Sequence, residues 1–131
     1  MRILIVEDDF IARHVLKDML VTYGQCDTVV DGAEAVQEFN MALSDKRPYD
    51  VIFLDIMMPN VDGLAALKSI RQIEKETGVL PAKEVKVIMT TALDDPRTVV
   101  EAYYRGGADS YLVKPITKNK IADELHKVGL I

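Results

Sequence analysis

Three short runs, Ile3–Val6, Val51–Leu54 and Val87–Met89, are almost unbroken in Ile, Leu, Val, Phe and Met. Runs this short and this apolar read as strands covered on both faces, the condition of a parallel sheet under helices. Two weaker runs, Asp27–Val30 and Ser110–Val113, read as further strands. Helix-period segments separate them. Ile11, Val15, Met19 and Leu20 share one face; so do Val36, Phe39 and Leu43; Leu64, Leu67 and Ile70; Val99, Val100 and Tyr103; and Ile121, Leu125 and Val128. Helix starts are marked by Asp31 with Glu34, by Asp62–Gly63 and by Asp95–Pro96, and helix stops by Gly78, Gly106 and Gly107. A β-α unit repeated five times with right-handed crossovers gives one parallel sheet with helices on both faces. The 131 residues fit a single α/β domain.

Ligands of such a sheet bind beyond the carboxyl ends of its strands, where strand order reverses. The residues at those ends are unusual. Glu7, Asp8 and Asp9 follow the first strand, Asp55 the third, Thr90, Thr91 and Ala92 the fourth, and Lys114–Pro115 the fifth. If all the strands run one way, several carboxylates, a hydroxyl and one ammonium meet at one edge. Carboxylates so close raise one another's pKa unless a cation lies among them. Hard oxygen ligands suit Mg²⁺, which leaves room for phosphate oxygens. A carboxylate can also attack phosphorus and form an acyl phosphate, with a metal, an ammonium and a hydroxyl stabilising the moving charge.

With IVEDD, LDIMMPNVDG, MTTA and GADSYLVKP in this order, the chain resembles a CheY-like response-regulator receiver domain of two-component signalling. The resemblance runs from Arg2 to about Val128. It implies a flavodoxin-like (βα)5 doubly wound parallel sheet, strand order 2-1-3-4-5. It also implies a phosphoacceptor at Asp55, a Mg²⁺ site from Glu7, Asp8, Asp55 and the Met57 carbonyl, and substitution by Mn²⁺. Thr91 matches the hydroxyl residue that follows the phosphoryl group, and Ala92 the small residue beside it. Lys114 matches the phosphate-pairing lysine, Tyr111 the switch aromatic, and Lys114–Pro115 a cis peptide bond. Phe10, Ile11, Pro115 and Ile116 match the apolar face that docks a histidine kinase or histidine phosphotransfer protein. Met57 and Leu93 occupy places that tune the lifetime of the phosphorylated state. Both are apolar, so neither orients an attacking water, and slow self-dephosphorylation is expected. A downstream protein, not identified by the sequence, would read the surface of the fourth helix, fifth strand and fifth helix. Monomer and phosphorylation-induced dimer both stay open.

Plainer readings stand beside these. Asp9 is expected to cap the first helix. Thr90 adjoins Thr91, and the place of Ala92 is what favours Thr91. His14 and His126 have no second ligand at useful spacing. Adjacent Tyr103 and Tyr104 point in different directions. Cys26, the sole cysteine, fits a reducing cytoplasm, and a net charge of −5 argues against direct nucleic-acid binding. No run is long enough to span a bilayer. Residues 1–131 are expected to form the receiver with no output domain. Glu74–Glu84 makes a longer, more polar connection, expected on the face away from the site. Two rivals remain: a receiver-like interaction module that is never phosphorylated, and a Mg²⁺-dependent aspartyl-phosphate hydrolase. The second would carry another Asp two residues after Asp55, where this chain has Met57.

Overall fold

The computed structural model describes residues 1–56, 58, 62–91 and 107–131. In chain order the elements are β1 (Arg2–Val6), α1 (Phe10–Leu20), β2 (Gln25–Val29), α2 (Gly32–Ser44), β3 (Val51–Asp55), α3 (Gly63–Glu76), a 3-10 turn at Pro81–Lys83, β4 (Lys86–Thr91), β5 (Ser110–Val113) and α4 (Lys118–Lys127). The helical segment expected around Val99–Tyr103, with Asp95, Pro96, Tyr104 and Gly106, lies outside the described residues. The five strands are parallel and ordered β2-β1-β3-β4-β5.

Side chains alternate across a strand, so each strand feeds two cores. Leu4, Val6, Ile52, Leu54, Val87 and Met89 face α2 and α3, where Phe39, Leu67 and Ile70 meet them. Ile3, Ile5, Val51, Phe53, Ile88 and Leu112 face the other way, against Leu16 and Leu20 of α1 and Ile121 and Leu125 of α4. β1, β3 and β4 are therefore apolar on both faces. That is why they are the three runs legible in the sequence, whereas the edge strand β2 has only Val29 buried.

Local signals place the helix starts. Asp9, Asp31, Asp62 and Thr117 are the N-caps of α1, α2, α3 and α4, each side chain accepting a backbone N–H three residues on. α3 closes at Thr77, and Gly78 then takes a left-handed φ of 75°. Two expectations need correction. The expected apolar face of α1 is split: Leu16 and Leu20 are buried, but Ile11 and Val15 are 70% and 46% exposed. A stripe stepping every four residues drifts round a helix of 3.6 residues per turn, and only its end meets the sheet. Asp55, expected just past its strand, is the last residue of β3, paired with Thr90.

Candidate functional site

The strand order reverses between β1 and β3, since β2 lies on one side of β1 and β3 on the other. The crevice there receives Glu7 and Asp8 from the end of β1 and Asp55 from the end of β3. One carboxylate oxygen from each lies within 4.8 Å of the others. Lys114, just past β5, brings Nζ to 2.6 Å from Glu7 Oε1 and 3.6 Å from Asp55 Oδ2. Glu7 and Asp55 are buried, and Asp8 opens to solvent.

Backbone placement makes this arrangement stiff. Glu7 N–H donates to the Val29 carbonyl at 3.2 Å, and Lys114 N–H to the Thr91 carbonyl at 2.7 Å. Ile56 N–H donates to the Thr90 carbonyl, and Gly63 N–H returns to the Ile56 carbonyl, both at 3.0 Å. Gly63 lets α3 start this close to β3: a Cβ there would fall 2.2 Å from the Asp55 carbonyl oxygen. The Lys114–Pro115 peptide bond is cis.

Three carboxyl groups and the Lys114 ammonium meet here, an oxygen set of the kind a hard divalent cation takes. Oε2 of Glu7 is buried and has no hydrogen-bond partner among the described residues. Burial, and then contact with Asp55, push the Glu7 carboxyl from 4.5 up to about 7, against the pull of Lys114. Burial works against the Lys114 charge, yet its bond to Glu7 and the charge of Asp55 outweigh this and raise its pKa. A hard divalent cation fits this oxygen set and would add positive charge among the carboxylates.

The raised Glu7 pKa has a stability consequence in metal-free protein. The folded chain holds a proton that the unfolded chain releases near 4.5. Glu7 therefore favours folding most at low pH, and this contribution is lost as pH rises from 4.5 through about 7. In EDTA, Glu7→Gln is expected to gain on the wild type between pH 5 and pH 8, on the order of 2–3 kcal/mol. Urea melts at the two pH values check this; a stability difference independent of pH contradicts it.

The other expected residues divide by sheet face. Tyr111 pairs with Met89 and packs on the α2/α3 core, and alternation puts Thr91 on that same face. Thr90 lies on the opposite face and lines a groove of about 270 Å³ with Glu7, Lys114, Pro115, Ile116, Ile11 and Val15. Phe10, the first residue of α1, is 64% exposed and stacked on His14 with ring centroids 5.2 Å apart. Met57, Ala92 and Leu93 lie outside the described residues.

Sequence reasoning missed two arginines. Arg13 reaches from α1 back to the carbonyls of Glu7 and Asp8 at 2.8 and 3.4 Å. The backward lean of helical side chains was the available signal. Arg71, at the opposite end of the sheet, binds Glu74, Asp109 and the carbonyls of Val85 and Gly107. Glu74 is 2% exposed, so the connection expected to be simply polar begins with a buried ionic contact.

The response regulator receiver domain family matches residues 3–126. The chain is 36% identical over 129 residues to hybrid signal transduction histidine kinase L of Dictyostelium discoideum, covering 98% of this chain but 7% of that relative. It is 32% identical over 129 residues to the chemotaxis protein CheY of Bacillus subtilis, covering 96% of this chain and 95% of the relative. Among solved structures, the receiver domain of histidine kinase CKI1 from Arabidopsis thaliana complexed with Mg²⁺ superposes with a TM-score of 0.85 at 28% identity, over 97% of this chain and 90% of that one. The receiver domain of Ssk1, in complex with the histidine phosphotransfer protein Ypd1 of Saccharomyces cerevisiae, gives 0.80 at 26% identity, over 95% and 85%. Family, relatives and fold agree over nearly the full length, and the chain belongs to the response regulator receiver domain family of two-component signalling.

Proposed function

We propose that this receiver is a phosphoacceptor switch, with Asp55 taking a phosphoryl group from a phosphohistidine on a histidine kinase or histidine phosphotransfer protein. The observation that carries this reading is the meeting of Glu7, Asp8 and Asp55 oxygens within 4.8 Å, with Lys114 Nζ 3.6 Å from Asp55. Glu7, Asp8 and Asp55, with the Met57 carbonyl, would hold Mg²⁺ or, in its place, Mn²⁺. The metal, when bound, neutralises charge on the phosphoryl oxygens.

Asp55 Oδ attacks phosphorus as the bond to the histidine nitrogen breaks; with the donor's other ring nitrogen protonated, this leaves an acyl phosphate on the receiver and a neutral imidazole on the donor. Lys114 stays charged beside Asp55, so its ammonium can pass from Glu7 toward the new phosphoryl oxygens. Thr91 follows the phosphoryl group, with Ala92 leaving it space. Tyr111, on the same sheet face as Thr91, then settles inward. The phosphoryl group thus favours one of two pre-existing states. A groove of about 670 Å³ along Tyr111–Val113 and α4, lined also by Lys120, Asp123 and His126, belongs to the surface a downstream protein would read.

The donor would dock on Phe10, Ile11, Pro115 and Ile116, whose apolar groove opens beside Glu7 and Lys114. The complex of Ypd1 with the Ssk1 receiver supports such a partner. These partners and the free thiol of Cys26 favour the cytoplasm. No helix among the described residues is long and apolar enough to cross a membrane.

The test is chemical. After incubation with Mg²⁺ and acetyl phosphate, the protein should carry a phosphoryl group that hydroxylamine removes, as it does from acyl phosphates. A hydroxylamine-stable adduct, as on serine or threonine, refutes the assignment. Leu93→Glu and Met57→Asn each put a polar side chain at a position expected to tune the approach of water. Each is expected to speed decay of the phosphorylated state by up to about 10²-fold, the low end for positioned acid-base help. Unchanged decay rates in both would remove Met57 and Leu93 from the control of lifetime.

A further inference from the structure

We infer that Arg13 is a positioning residue that aims the acidic pair at its cation, an inference that rests on the proposed Mg²⁺ site. Only Glu7, Asp8 and Asp9 separate β1 from α1. Both ends of this link are fixed: Glu7 N–H is bonded to Val29, and Asp9 caps α1, its Oδ2 accepting from Ala12 N–H at 2.9 Å. Asp8, between them, is exposed and has no core to hold it. Arg13 Nη1 donates to the Glu7 carbonyl at 2.8 Å and, more weakly, to the Asp8 carbonyl at 3.4 Å. Those carbonyls belong to the two peptide planes that flank the Asp8 Cα. Holding both planes sets the direction in which the Asp8 side chain leaves the backbone. The guanidinium is itself steadied over the Phe10 ring, 5.6 Å from the centroid.

Charge and position predict opposite signs here. A guanidinium near a divalent cation repels it, so a purely electrostatic Arg13 would weaken metal binding and its removal would tighten it. A positioning Arg13 does the reverse. Partners behind metal ligands typically contribute 10–100-fold in affinity. Arg13 acts on the backbone at a half-open site, so the low end, about tenfold, is expected.

The experiment is calorimetric titration of Mg²⁺ alone into the full chain as wild type, Arg13→Met and Arg13→Lys, with thermal melts in EDTA alongside. Arg13→Met should raise the Mg²⁺ Kd about tenfold. Arg13→Lys, which keeps the cation but not the planar fork, should fall between. Phosphoryl uptake by Arg13→Met should approach the wild-type rate once Mg²⁺ is saturating, a recovery that general damage to the fold would not give. Equal or tighter Mg²⁺ binding by both variants overturns the inference while leaving the metal site intact. Absence of Mg²⁺ binding in the wild type overturns the metal site and this inference together.

Discussion

Asp55→Asn is expected to yield a folded protein that takes up no phosphoryl group. The amide matches the carboxylate in shape and lacks its nucleophilic oxygen, so no acyl phosphate can form. The fold should tolerate the change. Asp55 is buried beside two other carboxyl groups, with Lys114 Nζ 3.6 Å away, and removing its charge relieves Glu7 while it deprives Lys114. A stability change within about 1 kcal/mol of the wild type in EDTA follows from that balance. Mg²⁺ affinity should fall by an order of magnitude or more, because one of the three proposed charged ligands is gone. Denaturation curves, Mg²⁺ titration and phosphoryl uptake on the same preparation check the three parts. A variant that folds, binds Mg²⁺ as the wild type does and is still phosphorylated would move the acceptor away from Asp55.

Arg71→Leu is expected to cost about 3–5 kcal/mol of stability, the range for removing one partner of a buried ion pair. Arg71 holds Glu74 Oε1 at 2.7 Å and Asp109 Oδ2 at 3.0 Å, and donates to the carbonyls of Val85 at 2.8 Å and Gly107 at 3.0 Å. Glu74 Oε2 accepts from Val85 N–H, and Asp109 Oδ2 from Val87 N–H. One side chain thus ties α3 to the starts of β4 and β5. Its loss strands a carboxylate that is 2% exposed, together with two carbonyls. Burial already raises the Glu74 pKa, with Arg71 pulling the other way. Without Arg71 the carboxyl protonates more readily, so the stability loss should be largest at high pH and shrink as pH falls. Arg71→Leu/Glu74→Leu should recover much of it, which a double-mutant cycle would measure. A loss below about 1 kcal/mol at pH 8 would show the contact to be peripheral.

The two-sided burial of β1, β3 and β4 made the sheet legible, because strands apolar on both faces leave unbroken apolar runs. β2 was found less well: its register begins at Gln25, and only Val29 of its five residues is buried. Asp55, Glu7, Asp8 and Lys114 were legible for a related reason. Charged residues at the ends of apolar strands have no core role, and parallel topology brings strand ends together. What stayed hidden came from contacts between segments distant in sequence or from side-chain direction. Nothing in the polar run from Glu74 announces that its first residue is buried, because Val85, whose N–H its Oε2 accepts, lies beyond the 3-10 turn, just before β4. The exposure of Val15 was equally invisible, since helical period reports which residues share a face and not whether that face meets the sheet.

The most direct measurement is the intact mass of the protein after incubation with acetyl phosphate, with and without Mg²⁺, for the wild type and Asp55→Asn. One added phosphoryl group on the wild type, lost without Mg²⁺ and lost in the variant, is the expected result. A wild type that binds Mg²⁺ but gains no mass, even when a phosphorylated histidine phosphotransfer protein replaces acetyl phosphate, would contradict the switch and leave a receiver that acts only by binding.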